Sequence, residues 1–207
     1  ARRAAGACLL VAAMGLIVAL AAPYWRSERA PGDAPMFAIP RGIVLLIGVL
    51  CFGAFLGEGV MLDWSAVFLN QVQGVPAGRA GLGFLVFSVA MTVTRLFGDR
   101  AVAWLGQQRA VLIGGAVAAA GLLLATFPSA LPVALVGYAL VGLGCANIVP
   151  VLFTLAGNQK AMPESLAIPA VTTLGYAGVL AGPALVGLVA QLSSLVTAFV
   201  LVAIALL

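Results

Sequence analysis

Glu58 is the residue of this chain best placed to do chemistry. It stands in Gly57-Glu58-Gly59-Val60-Met61-Leu62-Asp63-Trp64-Ser65, in the outer part of an apolar run that begins near Gly42. A carboxylate in or beside hydrocarbon is costly, so intramembrane acids default to function. The run 42–68 is long enough to cross a bilayer, which takes about 20 residues at roughly 1.5 Å each. On that scale Glu58 lies about 24 Å from Gly42, inside the hydrocarbon near its far edge. Asp63 lies about 32 Å along, at or beyond the interface, where a carboxylate is cheap. At about 100° per residue the two acids point some 140° apart, so they cannot both face one cavity. Glu58 is therefore the candidate working acid, with Asp63 and Trp64 as interfacial or helix-end residues. A structural alternative stands beside this reading, in which Glu58 only bonds a neighbouring helix.

Composition says what positions such an acid. The chain is 64% hydrophobic and 8% charged, with a mean hydropathy of +1.21, far too little charge for a soluble domain of this size. The expected fold class is an all-α integral membrane bundle of about seven transmembrane helices. Histidine is absent, which removes Ser-His-Asp and Cys-His catalysis, HExxH zinc sites and histidine pH switches. Cys8, Cys51 and Cys145 each lie in an apolar run without CxxC spacing and read as small core residues, not as a disulfide framework or metal site. Gly81-Leu82-Gly83 and Gly142-Leu143-Gly144 lack the strand-loop-helix context and the lysine of a nucleotide loop. The net charge of +4 is spread without a basic run, so no nucleic-acid partner is expected. These exclusions leave no enzyme, no cofactor and no metal.

Residues 4–22 form a first apolar run after Arg2-Arg3 and read as a spanning helix, with a signal peptide as the alternative. Residues 23–41 interleave Pro23, Pro31, Pro35 and Pro40 with Arg26, Glu28, Arg29, Asp33 and Arg41, which forbids a continuous helix and predicts an aqueous linker. After the Glu58 helix and the turn Asn70–Pro76, helices are expected at about 79–97, 109–127, 131–155, 167–190 and 193–207, the last running off the end. One set of alternate loops holds Arg26, Arg29, Arg41, Arg95, Arg100, Arg109 and Lys160; the other holds Arg2, Arg3 and Arg79. That excess puts the linker, the Gly98–Gln108 loop and the Lys160 loop in the cytoplasm and Glu58 toward the outer face.

The loop after the second helix beyond the linker reads Arg95-Leu-Phe-Gly98-Asp99-Arg100, then Leu105-Gly106-Gln107-Gln108-Arg109. It resembles the cytoplasmic loop signature of the major facilitator superfamily, a Gly followed by Asp-Arg and then Gly and basic residues. Gly98 is adjacent to Asp99 where the full motif separates them, and Gln107-Gln108 replaces basic residues. Gly57-Glu58-Gly59 with Asp63-Trp64-Ser65 resembles the seventh helix of bacterial members near the fucose-permease branch. The resemblance implies that 1–22 is the last helix of an amino-terminal half and 23–41 the cytoplasmic linker. Residues 42–207 are then the six-helix carboxyl-terminal half, truncated in its last helix. The superfamily is a standing example of two halves, each made of inverted three-helix repeats.

The resemblance further implies that helices 42–68 and 131–155 line a central cavity. Tyr138, about 10 Å from the outer end of its helix, is then a hydrogen-bond partner for Glu58 or an aromatic packing residue. Asn147, about 24 Å along the same helix, is satisfied by substrate or, as the preferred reading, by another helix. Pro150 and Pro183 can kink their helices, and Gly178 and Gly182 let backbones approach closely. Tyr176 is a further cavity candidate. Arg95, Gly98, Asp99, Arg100 and Arg109 would form a conformational latch gripping the other half, while bare chemistry has Asp99 capping a helix and Arg95 and Arg100 among headgroups.

The expected function is a secondary transporter in a bacterial cytoplasmic (inner) membrane. It would move a small solute, sugar-like or drug-like, by alternating access with proton coupling through Glu58. Its partners would be lipid, the six-helix amino-terminal half, the solute and protons. A non-transporting membrane scaffold or sensor component, with the linker as docking segment, is the alternative.

Overall fold

A computed structural model describes residues 40–127 and 130–207. The expectations for residues 1–22 and for the linker up to residue 39 lie outside the described residues. Among the described residues the chain forms helices and no strand. They are α1 (Ile43–Gln71), α2 (Ala77–Ala80), α3 (Leu82–Leu96), α4 (Gly98–Leu105), α5 (Gln107–Thr126), α6 (Leu131–Cys145), α7 (Ile148–Asn158), α8 (Glu164–Leu192) and α9 (Leu195–Ala205).

Among the described residues five stretches are long and apolar enough to cross a membrane: α1, Ala77–Leu96, α5, Leu131–Asn158 and α8. The apolar α9 is shorter, at 11 residues. Helix is forced on such runs because hydrocarbon offers no partner for backbone N–H and C=O groups, which must then bond within the segment. Local chemistry sets the ends. Asn70 donates through Nδ2 to the Val75 carbonyl at 2.9 Å across the turn after α1, and Gly74 takes φ +68° there. Ser194 caps α9, its Oγ accepting from the Thr197 N–H at 3.1 Å.

Three boundaries differ from expectation. The Gly98–Gln108 segment is not all loop: Gly98–Leu105 is helical, with Asp99 in its first turn, where the helix dipole favours an acid. Of the two glycines in this segment, Gly106 takes φ +81° and ends the helix, while Gly98 lies inside it. The expected continuous helix over 131–155 is interrupted at Ala146-Asn147. Finally, α1 runs 29 residues, about 43 Å, longer than the hydrocarbon is thick. Its start at Ile43 therefore does not mark the membrane edge. Glu58 sits at its middle rather than near the outer edge, and two turns follow Asp63.

The helices pack in an exchanged pattern. The most extensive contacts join α1 to α8 and α5 to α6, followed by α3 to α6. The first helix of 43–126 thus packs on the second helix of 131–205, and the first of 131–205 on the second of 43–126. Without a hydrophobic drive between helices in lipid, close backbone approach holds such a bundle. Gly178 of α8 lies against the Phe52 carbonyl of α1, and Gly142 of α6 against the Phe87 carbonyl of α3. Larger side chains fill the centre: Tyr138, Phe68, Phe199 and Met61 are buried, with the Phe68 and Phe199 rings stacked at 4.2 Å.

Candidate functional site

Polar residues are not spread evenly over the spans. In α5 and α9 they lie only at the helix ends. In α1, α3, the α6–α7 stretch and α8 they occur at mid-span. On α3, Ser88, Thr92 and Arg95 recur at i, i+4 and i+7, one stripe of the helix, with Thr92 and Arg95 exposed. On α8, Thr173 and Tyr176 are both exposed and share a face at i, i+3. The Tyr176 ring stacks on Phe55 of α1 at 5.3 Å, one turn before Glu58.

Glu58 and Arg95 meet on this face. The Glu58 Oε1 lies 3.5 Å from the Arg95 Nη2, the one ion pair seen among the described residues. The Glu58 side chain is 19% exposed and that of Arg95 45%. The separation exceeds the roughly 2.7–2.9 Å of a charge-assisted hydrogen bond, and Oε1 has no hydrogen-bond partner, so the attraction is coulombic. The arginine is also held on its other side: its Nε donates to the Ala146 carbonyl at 3.1 Å. One guanidinium therefore ties α1, α3 and the α6–α7 break together.

Helix rise explains the meeting. Counted from the turn shared by α1 and α2, Glu58 is 13 residues before Gln71 and Arg95 is 18 residues after Ala77, or about 20 Å and 27 Å deep. The difference, about 7 Å, is the reach of an arginine side chain pointing back toward the middle of the membrane. Arg95 thus departs from the expectation that it sits among headgroups. Sequence reasoning missed this partner although the count from the turn was available in it.

The other candidates are distributed as follows. Tyr138 is fully buried and its hydroxyl donates to the Ser65 carbonyl at 3.4 Å, so it is not the hydrogen-bond partner of Glu58. The reason is register: Ser65 is seven residues beyond Glu58, about 10 Å further along α1, and α6 meets α1 at that higher level. Asn147 lies in the α6–α7 break, with its carboxamide oxygen packed against Gly98, where a Cβ would collide with it. Asp63 is exposed, and Trp64 is half-buried with its ring near Gly187 and its Nε1 unpartnered. Asp99, Arg100 and Arg109 are exposed. Phe97, not Asp99, holds the N-cap position of α4, and no side chain caps it. Asp99 and Gln107 share a cavity of about 260 Å³ with Asn147, Pro150 and Thr154, so the signature segment faces the broken helix. Pro183 lies inside an uninterrupted α8, as does Pro169, and α8 starts at Glu164 rather than near 167. Gly182 stands opposite Leu56, with room for a Cβ 3.8 Å from its carbonyl.

The described residues group no three His, Cys, Asp or Glu side chains that could hold a metal ion. What the arrangement offers is a membrane-embedded carboxylate with, among the described residues, a single counter-charge, on the polar side of the bundle. That defines a multi-pass helical membrane protein with an ionisable group at mid-span.

Comparison with known proteins takes the assignment one step further. The chain is 51% identical over 182 residues to an uncharacterized MFS-type transporter of Yersinia pestis, covering 88% of this chain and 47% of the relative. It is 34% identical over 164 residues to an uncharacterized transporter of Sinorhizobium fredii, covering 79% of this chain and 44% of that protein. A third relative, the membrane protein MosC of Rhizobium meliloti, is 32% identical over 148 residues, or 72% of this chain and 36% of MosC. No family model matches. The chain belongs to the major facilitator superfamily. It spans about half the length, or less, of the curated relatives it matches, none of which is named a fucose permease or an enzyme.

Proposed function

We propose that the chain is the carboxyl-terminal six-helix half of a secondary transporter of a bacterial inner membrane. It moves a small solute, sugar-like or drug-like, by alternating access and couples that movement to protons through Glu58. The observation that carries this reading is the Glu58–Arg95 pair, an ion pair at mid-span on the polar face of four helices. Intramembrane ionisable groups mark ion and substrate paths more often than they serve packing. The amino-terminal half closes the cavity from the opposite side, as a two-halved transporter requires.

The geometry suggests how a proton does work. When Glu58 takes a proton its carboxyl becomes neutral and no longer holds the guanidinium by charge. Arg95 keeps its bond to the Ala146 carbonyl. The tie from α1 is thus released while the tie between α3 and the α6–α7 break persists. A proton can shift a two-state equilibrium only by such a differential interaction.

The complete protein, reconstituted in liposomes and assayed for electrogenic and pH-driven uptake of a panel of sugars, amines and acids, tests the proposal. Glu58→Gln is expected to cut pH-gradient-driven uptake at least about tenfold, equivalent to about 1.4 kcal/mol. Uptake and pH dependence both left intact would remove Glu58 from the mechanism.

A further inference from the structure

Proline has no N–H, so Pro150 cannot donate to the carbonyl four residues before it, that of Ala146. In a continuous helix that carbonyl would be an ordinary i−4 acceptor. Here the chain is interrupted at Ala146-Asn147, and the Ala146 carbonyl accepts from Arg95 Nε at 3.1 Å. The next bond of the ladder, from the Val151 N–H to the Asn147 carbonyl, is made at 3.2 Å, so regular bonding resumes at the following residue. Ala146 is fully buried, where a carbonyl without a donor costs about 1–3 kcal/mol. The arginine therefore fills a vacancy in the backbone ladder and is fixed by doing so. The Pro150 ring itself is exposed, which leaves it little packing role.

We propose that Pro150 is a positioning residue: by withholding an N–H from Ala146 it leaves that carbonyl as the dock that aims Arg95 at Glu58. Pro183, inside α8, lacks this consequence. Pro183 leaves the Val179 carbonyl without its i−4 donor, and that carbonyl faces the backbone of Gly59 rather than a cationic side chain. The break in the Leu131–Asn158 span is thus not only a kink. It converts a main-chain acceptor into part of a charged site 51 residues away in sequence. The effect on uptake rests on the transporter reading above, whereas the dock itself does not.

The test separates the missing donor from the ring. The complete protein is labelled with ¹⁵N-arginine in lipid nanodiscs, and the Arg95 Nε–H resonance, assigned by its loss in Arg95→Lys, is followed by solvent exchange. Pro150→Ala supplies an N–H for Ala146 and is expected to speed Nε–H exchange at least about tenfold. Lactic acid placed at position 150 removes the ring but still lacks the N–H, and is expected to keep the slow exchange of the unmodified protein. Slow exchange in Pro150→Ala, or fast exchange with lactic acid, overturns the proposal. If Pro150→Ala fails to fold, the lactic acid protein alone decides. Uptake by the two proteins forms a separate arm. Loss in Pro150→Ala with retention in the ester supports both readings. Unchanged uptake beside the expected exchange pattern keeps the dock and defeats the transport role of the pair.

Discussion

Gly178→Leu is expected to prevent the bundle from assembling. Gly178 meets not a side chain but the backbone of α1, with a built Cβ colliding with the Phe52 carbonyl oxygen and lying 3.2 Å from the Leu56 nitrogen. A side chain can rotate away from an intruder, whereas a helix backbone must translate as a whole. The α1–α8 contact is the most extensive in the bundle, so no alternative packing compensates for its separation. Overpacking usually costs about 1–3 kcal/mol where side chains can adjust. A backbone collision at this contact is expected to exceed that range. The complete protein in detergent should lose its monodisperse size-exclusion peak or melt at much lower temperature. Gly187→Ala is the matched control, since its Cβ would stand 3.4 Å from the Trp64 ring, close to an ordinary contact. An unchanged melt in Gly178→Leu would contradict the packing described.

Arg95→Ala carries the second large effect. It leaves Glu58 without its counter-charge and the Ala146 carbonyl without its donor. An uncompensated acid at a helix centre costs up to about 2.5–3.5 kcal/mol on insertion scales, less here because this face is partly open. The carbonyl adds about 1–3 kcal/mol. Breaking one side of a pair is worse than removing both, so adding Glu58→Gln to Arg95→Ala is expected to restore much of the lost stability. Thermal melts of the two single variants and the double variant measure the coupling, for which about 0.5–3 kcal/mol is expected. Strictly additive effects would mean that the two side chains do not interact. Arg95→Lys retains charge but not a donor fixed at the Nε position, so it should preserve folding better than it preserves function.

Much of the fold was legible because apolar runs of membrane length admit one solution. The helices from Ile43, Ala77, Gln107, Leu131 and Glu164 begin within a few residues of where composition and punctuation place them. Glu58 was legible as an anomaly in such a run. Its partner was not, because an arginine at the end of an apolar run resembles a headgroup residue until depths are counted from the shared turn. Tyr138 shows the other limit: its helix is apolar all round, so periodicity could not tell a buried face from an open one. The segment Gly98–Leu105 was hidden by its length, eight residues that open on one glycine and are ended by another, Gly106. The break at Ala146-Asn147 was half legible, since Pro150 was seen as a kink but the carbonyl it frees was not followed to a donor.

Thr92, Arg95 and Tyr176 are exposed and Glu58 lies beside Arg95, and whether that side of the bundle meets water decides the account. In the complete protein, made otherwise cysteine-free and held in sealed vesicles, single cysteines at Thr92, Tyr176 and Leu112 can be challenged with a membrane-impermeant thiol reagent. Thr92 and Tyr176 lie on the polar face of α3 and α8, while Leu112, 68% exposed, lies on α5, whose mid-span is apolar. Labelling at 92 and 176 with none at 112 is the predicted result. Protection at 92 and 176 equal to that at 112, from both sides of the membrane, would place Glu58 and Arg95 against lipid and contradict it.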